Sequence, residues 1–221
     1  MNHKELAFFD NQLYFTKLSL KTLSEDSNGT VSTNVSRWLK SGKLVNLKNG
    51  YYTTRKFFDG YKDTHGYHEV IANILCHPSY VSLEYVLSTY NVLTEGIFPI
   101  TSITLKTSRR YINETGTYTY KSIKEGLFRG YQCEHFPICE GWSVEYLIAE
   151  KSKALFDYLY FKSPTLANDF EKRNLVEELR LNLHGFNNLE YRELVRYAKI
   201  AGDKKIIKII DNIIKYAPHH S

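Results

Sequence analysis

The segment Thr30–Thr54 reads TVSTNVSRWLKSGKLVNLKNGYYTT, and two adjacent patterns within it decide how the N-terminal part of the chain folds. Its first half carries an apolar stripe at helical spacing, made of Val31, Val35, Trp38 and Leu39. Thr30 is suited to begin such a helix as its N-cap residue, and Gly42 is suited to end it. The pattern therefore predicts an amphipathic helix with one apolar face and one polar face.

The second half of this segment has the pattern of a two-stranded hairpin. Leu44–Leu47 and Tyr51–Thr54 flank Lys48-Asn49-Gly50, and Asn-Gly is the strongest short signal for a hairpin turn. A polar, basic helix followed directly by a hairpin with a basic tip is typical of a winged helix-turn-helix, whose second helix enters the DNA major groove. The sequence thus predicts a DNA-binding module. A plain helix–hairpin subdomain with a solvated polar face is the alternative.

The predicted DNA-binding residues all have groups that can hydrogen-bond to bases or phosphates. They are Thr30, Ser32, Thr33, Ser36, Arg37, Lys40, Lys43, Lys48, Asn49 and Tyr51. We expect Arg37 to reach a base edge, whereas Lys43, Lys48 and Asn49 are expected to contact phosphates. Residues 30–56 contain six basic side chains and no acidic one, and this segregation of charge is more informative than the total charge.

The residues upstream of this segment fit the same module. Leu6, Phe8, Phe9 and Leu13 provide the apolar side chains for a first helix, and Phe15, Leu18, Leu20 and Leu23 provide those for a second, short one. The polar stretch at residues 24–29, SEDSNG, is predicted as the turn between the second and third helices.

The bulk properties of the 221-residue chain allow one large domain or two modest ones. A net charge of +5 is compatible with a nucleic-acid partner without requiring one. Three cysteines, an odd number, argue against a disulfide framework. Because no apolar run has the length of a signal-peptide core or a membrane span, a cytoplasmic location is expected.

The predicted fold class is α+β, with a winged helix-turn-helix over residues 1–56 and a mixed α/β domain over residues 67–221. Residues 57–66 have no clean periodicity and contain two glycines, which predicts a linker. The second domain is expected to have a small, mostly antiparallel sheet and a helical C-terminus. Its predicted strands are 99–106, 109–112, 117–123 and 127–132, and its predicted helices are 68–77, 82–90, 145–161, 166–183, 191–198 and 203–216.

Six isoleucines lie on the last predicted helix, which is more than one exposed stripe requires. Burial against the rest of the domain is the expected reason. A groove for a partner or for self-association is the alternative.

The sequence carries no strong catalytic or metal-binding constellation. The run Cys133-x-His135-x3-Cys139 has zinc-ligand residue types, but its spacing matches no common zinc motif. Glu145, Glu150, Lys153 and Asp157 are placed along one predicted helix, where a magnesium site is the minor alternative to surface ion pairs. With no phosphate-binding loop and no nucleophile elbow, we expect no enzyme, no cofactor and no metal.

Several blocks of the chain resemble the AbiEi antitoxin family in their order and spacing. The blocks are EVIAN at 69–73, PSYVSLE at 78–84, LTEGI at 93–97, ITSITLK at 100–106, GTYTY at 116–120 and AEKSKALFDYLY at 149–160. The resemblance extends from the N-terminal module to about Phe161. Where the family has a Ser-Ala-Leu helix, this chain has Tyr85-Val86-Leu87, which leaves the subfamily open.

The resemblance implies an antitoxin of a bacterial type IV toxin–antitoxin system, linked to abortive infection by phage. Its N-terminal winged helix would bind inverted repeats in its own promoter as two copies and repress transcription. Its C-terminal domain would counter a nucleotidyltransferase-like toxin without requiring a stable complex. A stand-alone regulator with a ligand- or partner-sensing domain is the alternative, and a metal-dependent nuclease is a lesser one.

Overall fold

Where the structure describes it, the N-terminal part of the protein contains two complete helices and a small antiparallel sheet, preceded by the helical residues Leu6 and Ala7. The computed structural model describes residues 6–24, 27–96, 99–167 and 169–218. The elements that follow are β1 (Phe15–Thr16), α1 (Lys17–Ser24), α2 (Asn28–Lys40), β2 (Leu44–Lys48) and β3 (Tyr51–Thr54). Of the first helix predicted from Leu6, Phe8, Phe9 and Leu13, only Leu6 is helical, and residues 8–11 form turns. The strands pair in the order β1-β3-β2. The predicted hairpin is confirmed, and Gly50 closes it with a φ of +82°, which glycine adopts without strain.

Helix α2 begins earlier than its sequence pattern predicts. Ser27 is the N-cap residue, and its hydroxyl accepts a hydrogen bond from the Thr30 backbone N–H, so Thr30 lies inside the first turn. Of the turn predicted at residues 24–29, residues 25 and 26 lie outside the described residues. The apolar stripe is confirmed, because Val31, Val35 and Trp38 are buried in a core shared with α1 and the sheet.

The segment predicted as an irregular linker is helical in its first half. Helix α3 (Arg55–Tyr61) begins directly after β3, with Thr54 as its N-cap. Phe57 and Phe58 are buried, and the Phe58 ring lies 6.2 Å from that of Tyr67. Burying two phenylalanines stabilises a helix whose sequence has no clear period of its own.

A six-stranded mixed sheet forms the centre of the larger part of the protein. Its strands are β4 (Ser79–Val81), β5 (Ile100–Thr104), β6 (Arg109–Asn113), β7 (Gly116–Ser122), β8 (Tyr131–Cys139) and β9 (Trp142–Ala149). Their order is β6-β7-β5-β4-β9-β8, with parallel pairing for β5/β7 and β4/β9 and antiparallel pairing elsewhere. The remaining helices are α4 (Tyr67–Leu75), α5 (Leu83–Thr89), α6 (Lys151–Lys162), α7 (Leu175–Glu178), α8 (Asn188–Ala201) and α9 (Lys204–Tyr216).

Three predicted elements of this larger part are wrong. The strand predicted at 127–132 begins only at Tyr131, after a short 3₁₀ turn. The helix predicted at 145–161 begins at Lys151, because residues 142–149 pair with strands on both sides and form β9. In the predicted helix 166–183, the described residues form only a 3₁₀ turn and α7. In the last two cases apolar residues that pack against neighbouring elements, such as the half-buried Leu147 and Ile148 and the buried Leu175 and Leu183, imitate a helical period.

The isoleucines of α9 point into the domain. Ile206, Ile209, Ile210 and Ile213 are buried, so burial accounts for most of this stripe. No helix among the described residues combines the length and apolar character that crossing a membrane requires.

The two parts of the chain meet through a continuous core. Val45 and Leu47 of β2 belong to the same apolar cluster as α3, α4 and the large sheet. The Asn113 side chain donates a hydrogen bond to the Leu47 carbonyl over 2.6 Å. The hairpin is therefore braced against the large sheet.

Candidate DNA-binding surface and adjoining cleft

One face of α2 presents four polar side chains to solvent. Thr33, Ser36, Arg37 and Lys40 are all exposed and recur at the i, i+3, i+4, i+7 spacing of one helical face. They lie opposite the buried stripe, because the same helix turns Val31, Val35 and Trp38 into the core. An exposed, basic helical face of this kind has the shape and charge to enter a DNA groove.

Arg37 is oriented by a buried neighbour. Its Nη2 donates a hydrogen bond to Asn34 Oδ1 over 3.0 Å, and Asn34 is only 7% exposed. Within the described residues, no carboxylate forms an ion pair with Arg37 or Lys40. By contrast, Arg55 pairs with Glu114 at 2.6 Å and Lys56 with Asp10 at 3.4 Å. The positive charge of α2 is thus left for an external anion, whereas that of α3 is partly neutralised.

The hydroxyl groups of three α2 residues predicted to bind DNA have local partners. The Thr30 hydroxyl lies 3.0 Å from the Ser27 hydroxyl, and Thr33 Oγ1 donates to the Gly29 carbonyl. Ser32 is half-buried, and its hydroxyl accepts from Lys17 Nζ over 3.4 Å. Lys17 of α1 therefore adds a cation beside α2 that the sequence pattern did not single out.

The hairpin residues do not share a single environment. Asn49 at the tip is exposed and Lys43 is half-buried. Lys48 Nζ donates to the carbonyls of Ile74 and Leu75 at 2.8 and 3.2 Å, and it lies 4.0 Å from the centre of the Tyr51 ring. The ammonium group therefore satisfies carbonyls at the C-terminal end of α4.

This position disagrees with the expectation that Lys48 contacts a phosphate. Burial lowers the pKa of Lys48, and the nearby charges of Lys106 and Arg109 lower it further. Contacting DNA would require breaking two charge-assisted hydrogen bonds. We therefore leave Lys48 out of the proposed DNA surface. Tyr51 is left out as well, because its ring lies beneath the Lys48 ammonium group.

A cleft of about 620 Å³ lies between the hairpin and the large sheet. Its walls combine basic, aromatic and acidic side chains, namely Lys48, Lys106, Arg109, His77, Tyr14, Tyr51, Tyr111, Tyr146 and the carboxylate of Glu145. The Tyr14 and Tyr51 rings stack with their centres 5.4 Å apart. Sequence patterns did not indicate this cleft, because its residues come from segments far apart in the chain. The part of the lining that Lys48, Lys106, Arg109 and the tyrosines form, away from Glu145, suits an anion that carries a flat ring.

The acidic set considered for magnesium does not converge. Glu145 lies on β9, Glu150 is the N-cap of α6, and Lys153 and Asp157 are buried inside the domain. Asp157 accepts hydrogen bonds from Lys153, from Tyr80 at 3.0 Å and from Ser82 at 2.8 Å. Burial raises the pKa of Asp157 and lowers that of Lys153. This network holds α6 against β4 and the start of α5, which is a structural role.

Comparison with known proteins gives no match either to a protein-family model or to a curated protein. The functional argument therefore depends on the residues and the geometry of this chain.

Proposed function

We propose that the protein is a DNA-binding transcriptional repressor whose N-terminal part acts as a winged helix-turn-helix. The observation that carries this proposal is the exposed basic face of α2, formed by Thr33, Ser36, Arg37 and Lys40, whose two cations form no ion pair with any residue that the structure describes. In this arrangement α2 enters the major groove and the β2–β3 hairpin acts as the wing. Asn49 and Lys43 then face the phosphate backbone at the wing.

The resemblance of residues 69–160 to the AbiEi family supports a narrower proposal. The protein would be the antitoxin of a bacterial type IV system, working in the cytoplasm, and would repress its own operon as two copies on inverted repeats. The larger part of the chain would counter a nucleotidyltransferase-like toxin. No enzymatic activity of its own is part of this proposal.

The first test measures binding of the full chain to the DNA upstream of its own gene, with shuffled DNA of the same composition as the control. A repressor binds the upstream DNA more tightly than the shuffled DNA at physiological salt. Equal affinity for both at every salt concentration would contradict sequence-specific binding.

The second test separates the two activities of an antitoxin in cells. The double variant Arg37→Ala/Lys40→Ala should lose repression of a promoter reporter while it still protects cells against the product of the neighbouring toxin gene. Loss of both activities by a folded double variant would mean that control of the toxin is only transcriptional. If no toxin gene adjoins this gene, the stand-alone regulator is favoured.

The cleft beside the hairpin favours a second candidate function, a regulator that senses a small anion. Lys106, Arg109 and Tyr111 lie where a ligand would contact the large sheet and the hairpin at once. ATP is a suitable probe for this cleft, because it carries phosphate groups as well as a flat ring. Under this candidate, ATP raises the melting temperature of the wild type and not that of Lys106→Ala. No shift with either protein would count against it.

A further inference from the structure

The β8–β9 hairpin brings three metal-ligating side chains together on one surface. His135 of β8 lies directly opposite Glu145 of β9 in the strand register. Cys133 lies two residues before His135, so both side chains are on the same face of β8. One ligand atom from each residue lies within 4.8 Å of the other two. All three side chains are exposed.

We propose that Cys133, His135 and Glu145 form a binding site for a divalent transition metal, with zinc as the ion. Thiolate, imidazole and carboxylate are the three donor types that zinc uses in proteins, whereas calcium and magnesium take oxygen ligands. A cluster with a thiol and an imidazole is more selective for transition metals than a group of carboxylates is. Three protein ligands leave the fourth position of a tetrahedral site open for water or another ligand.

The geometry allows this ion to bind without a change in the backbone. Tetrahedral bonds of about 2.0–2.3 Å place ligand atoms roughly 3.3–3.8 Å apart, so the separations within the cluster need to shorten by at most about 1.5 Å. Rotation of exposed side chains is sufficient for such a change. The strands beneath are held by the antiparallel ladder of β8 and β9, which keeps its register from Tyr131 to Pro137 and shifts only beyond the cluster, between Pro137 and Cys139.

A neighbouring hydroxyl supports the orientation of the imidazole ring. Ser143 Oγ lies 3.5 Å from His135 Nδ1. A hydrogen-bond partner on one ring nitrogen fixes the tautomer of a metal-binding histidine and leaves the other nitrogen to the ion. Sequence reasoning missed this site because its third ligand comes from the facing strand and not from the Cys133-x-His135-x3-Cys139 run.

The same hairpin supplies matched control residues. Cys139 is also an exposed, free thiol on β8, but it lies opposite Trp142 and outside the cluster. Glu134 is exposed and lies between Cys133 and His135 in the sequence. Its carboxylate accepts a hydrogen bond from Gln132 at 2.9 Å. Because strand residues alternate, its side chain lies on the opposite face.

The test titrates the full, reduced chain with Co²⁺, a spectroscopic substitute for zinc. We expect a sulfur-to-cobalt charge-transfer band that saturates at one ion per chain and is abolished by added Zn²⁺. The band should vanish in Cys133→Ser and persist in Cys139→Ser. Histidines elsewhere in the chain, such as His219 and His220, cannot produce a sulfur band.

Competition with a zinc chelator then measures affinity. His135→Ala and Glu145→Gln should weaken Zn²⁺ binding by about tenfold or more, and Glu134→Gln should not. Zn²⁺ should also slow alkylation of Cys133 and leave that of Cys139 unchanged. The proposal is overturned if the wild type gives no sulfur band, if the band survives Cys133→Ser, or if it depends on Cys139.

Discussion

Helices α2 and α6 have nearly the same length and both carry basic side chains, but they place these charges in opposite environments. Helix α2 buries one stripe and leaves Arg37 and Lys40 in solvent. Helix α6 is buried from residue 152 to residue 159, because β9, α5, α8 and α9 surround it, and it encloses Lys153 and Asp157. The comparison shows that a charged helical residue acquires its role from what packs around it. A charged residue that is exposed on α2 is available to a binding partner. A charged residue that is enclosed in α6 stabilises the fold.

The largest expected effect concerns the enclosed pair of α6. Asp157→Ala should destabilise the full chain by about 3–5 kcal/mol, because Lys153 is left in a dry site without its partner and Tyr80 and Ser82 lose an acceptor. Urea unfolding followed by circular dichroism measures this loss. The control is Lys208→Ala, which removes an exposed ion pair with Glu171 and should hardly move the midpoint. Equal losses in the two variants would contradict the structural role of the buried pair.

The next effect tests the buried stripe of α2. Trp38→Ala should lower the free energy of unfolding by about 3–5 kcal/mol, because Trp38 is only 5% exposed and its removal leaves a cavity in the N-terminal core. The chain offers a matched control, since its other tryptophan, Trp142, is 48% exposed. Trp142→Ala should change stability little. If the two substitutions had equal effects, the assigned faces of α2 would be wrong.

The exposed face of α2 is tested by its effect on binding. Arg37→Ala should lose about 1–3 kcal/mol of operator affinity if the guanidinium reads a base, while the melting curve stays unchanged. Titration of the upstream DNA by fluorescence anisotropy measures the loss. Arg192→Ala, an exposed arginine on α8, is the control for removing a positive charge far from α2. A similar loss of affinity in both variants would indicate a general charge effect and not base recognition.

The same contrast explains what could be predicted from the sequence. Helix α2 and its hairpin were predicted well because one face is solvated, so that apolar spacing and the Asn-Gly turn are visible in the residues alone. Strand β9 was mistaken for the start of α6 because Leu147 and Ile148 are both half-buried, which removes the alternation that marks a strand.

The candidate sites were predictable to different degrees for the same reason. Polar residues on one helix reveal an exposed surface by their spacing, so the residues of the α2 face could be predicted. The cleft and the Cys133, His135 and Glu145 cluster depend on strand register and on the docking of the hairpin. The position of Lys48 depends on the end of α4, which is 26 residues away in the chain. No local pattern encodes these contacts.

The smallest expected effect compares two lysines that are alike in sequence and different in structure. Lys40 is exposed on α2, so Lys40→Ala should weaken binding to operator DNA and to random DNA about equally. It should also reduce the slope of log affinity against log salt by roughly 0.9, the value of one phosphate contact. Lys48 is engaged with the carbonyls of Ile74 and Leu75, so Lys48→Ala should leave the slope unchanged and instead lower stability by about 1 kcal/mol. Salt titrations and urea unfolding on both variants give the two readouts. Lys48→Ala could instead flatten the salt dependence as much as Lys40→Ala does. That result would mean that Lys48 leaves the carbonyls at the end of α4 when DNA binds and contacts a phosphate, as the sequence predicts.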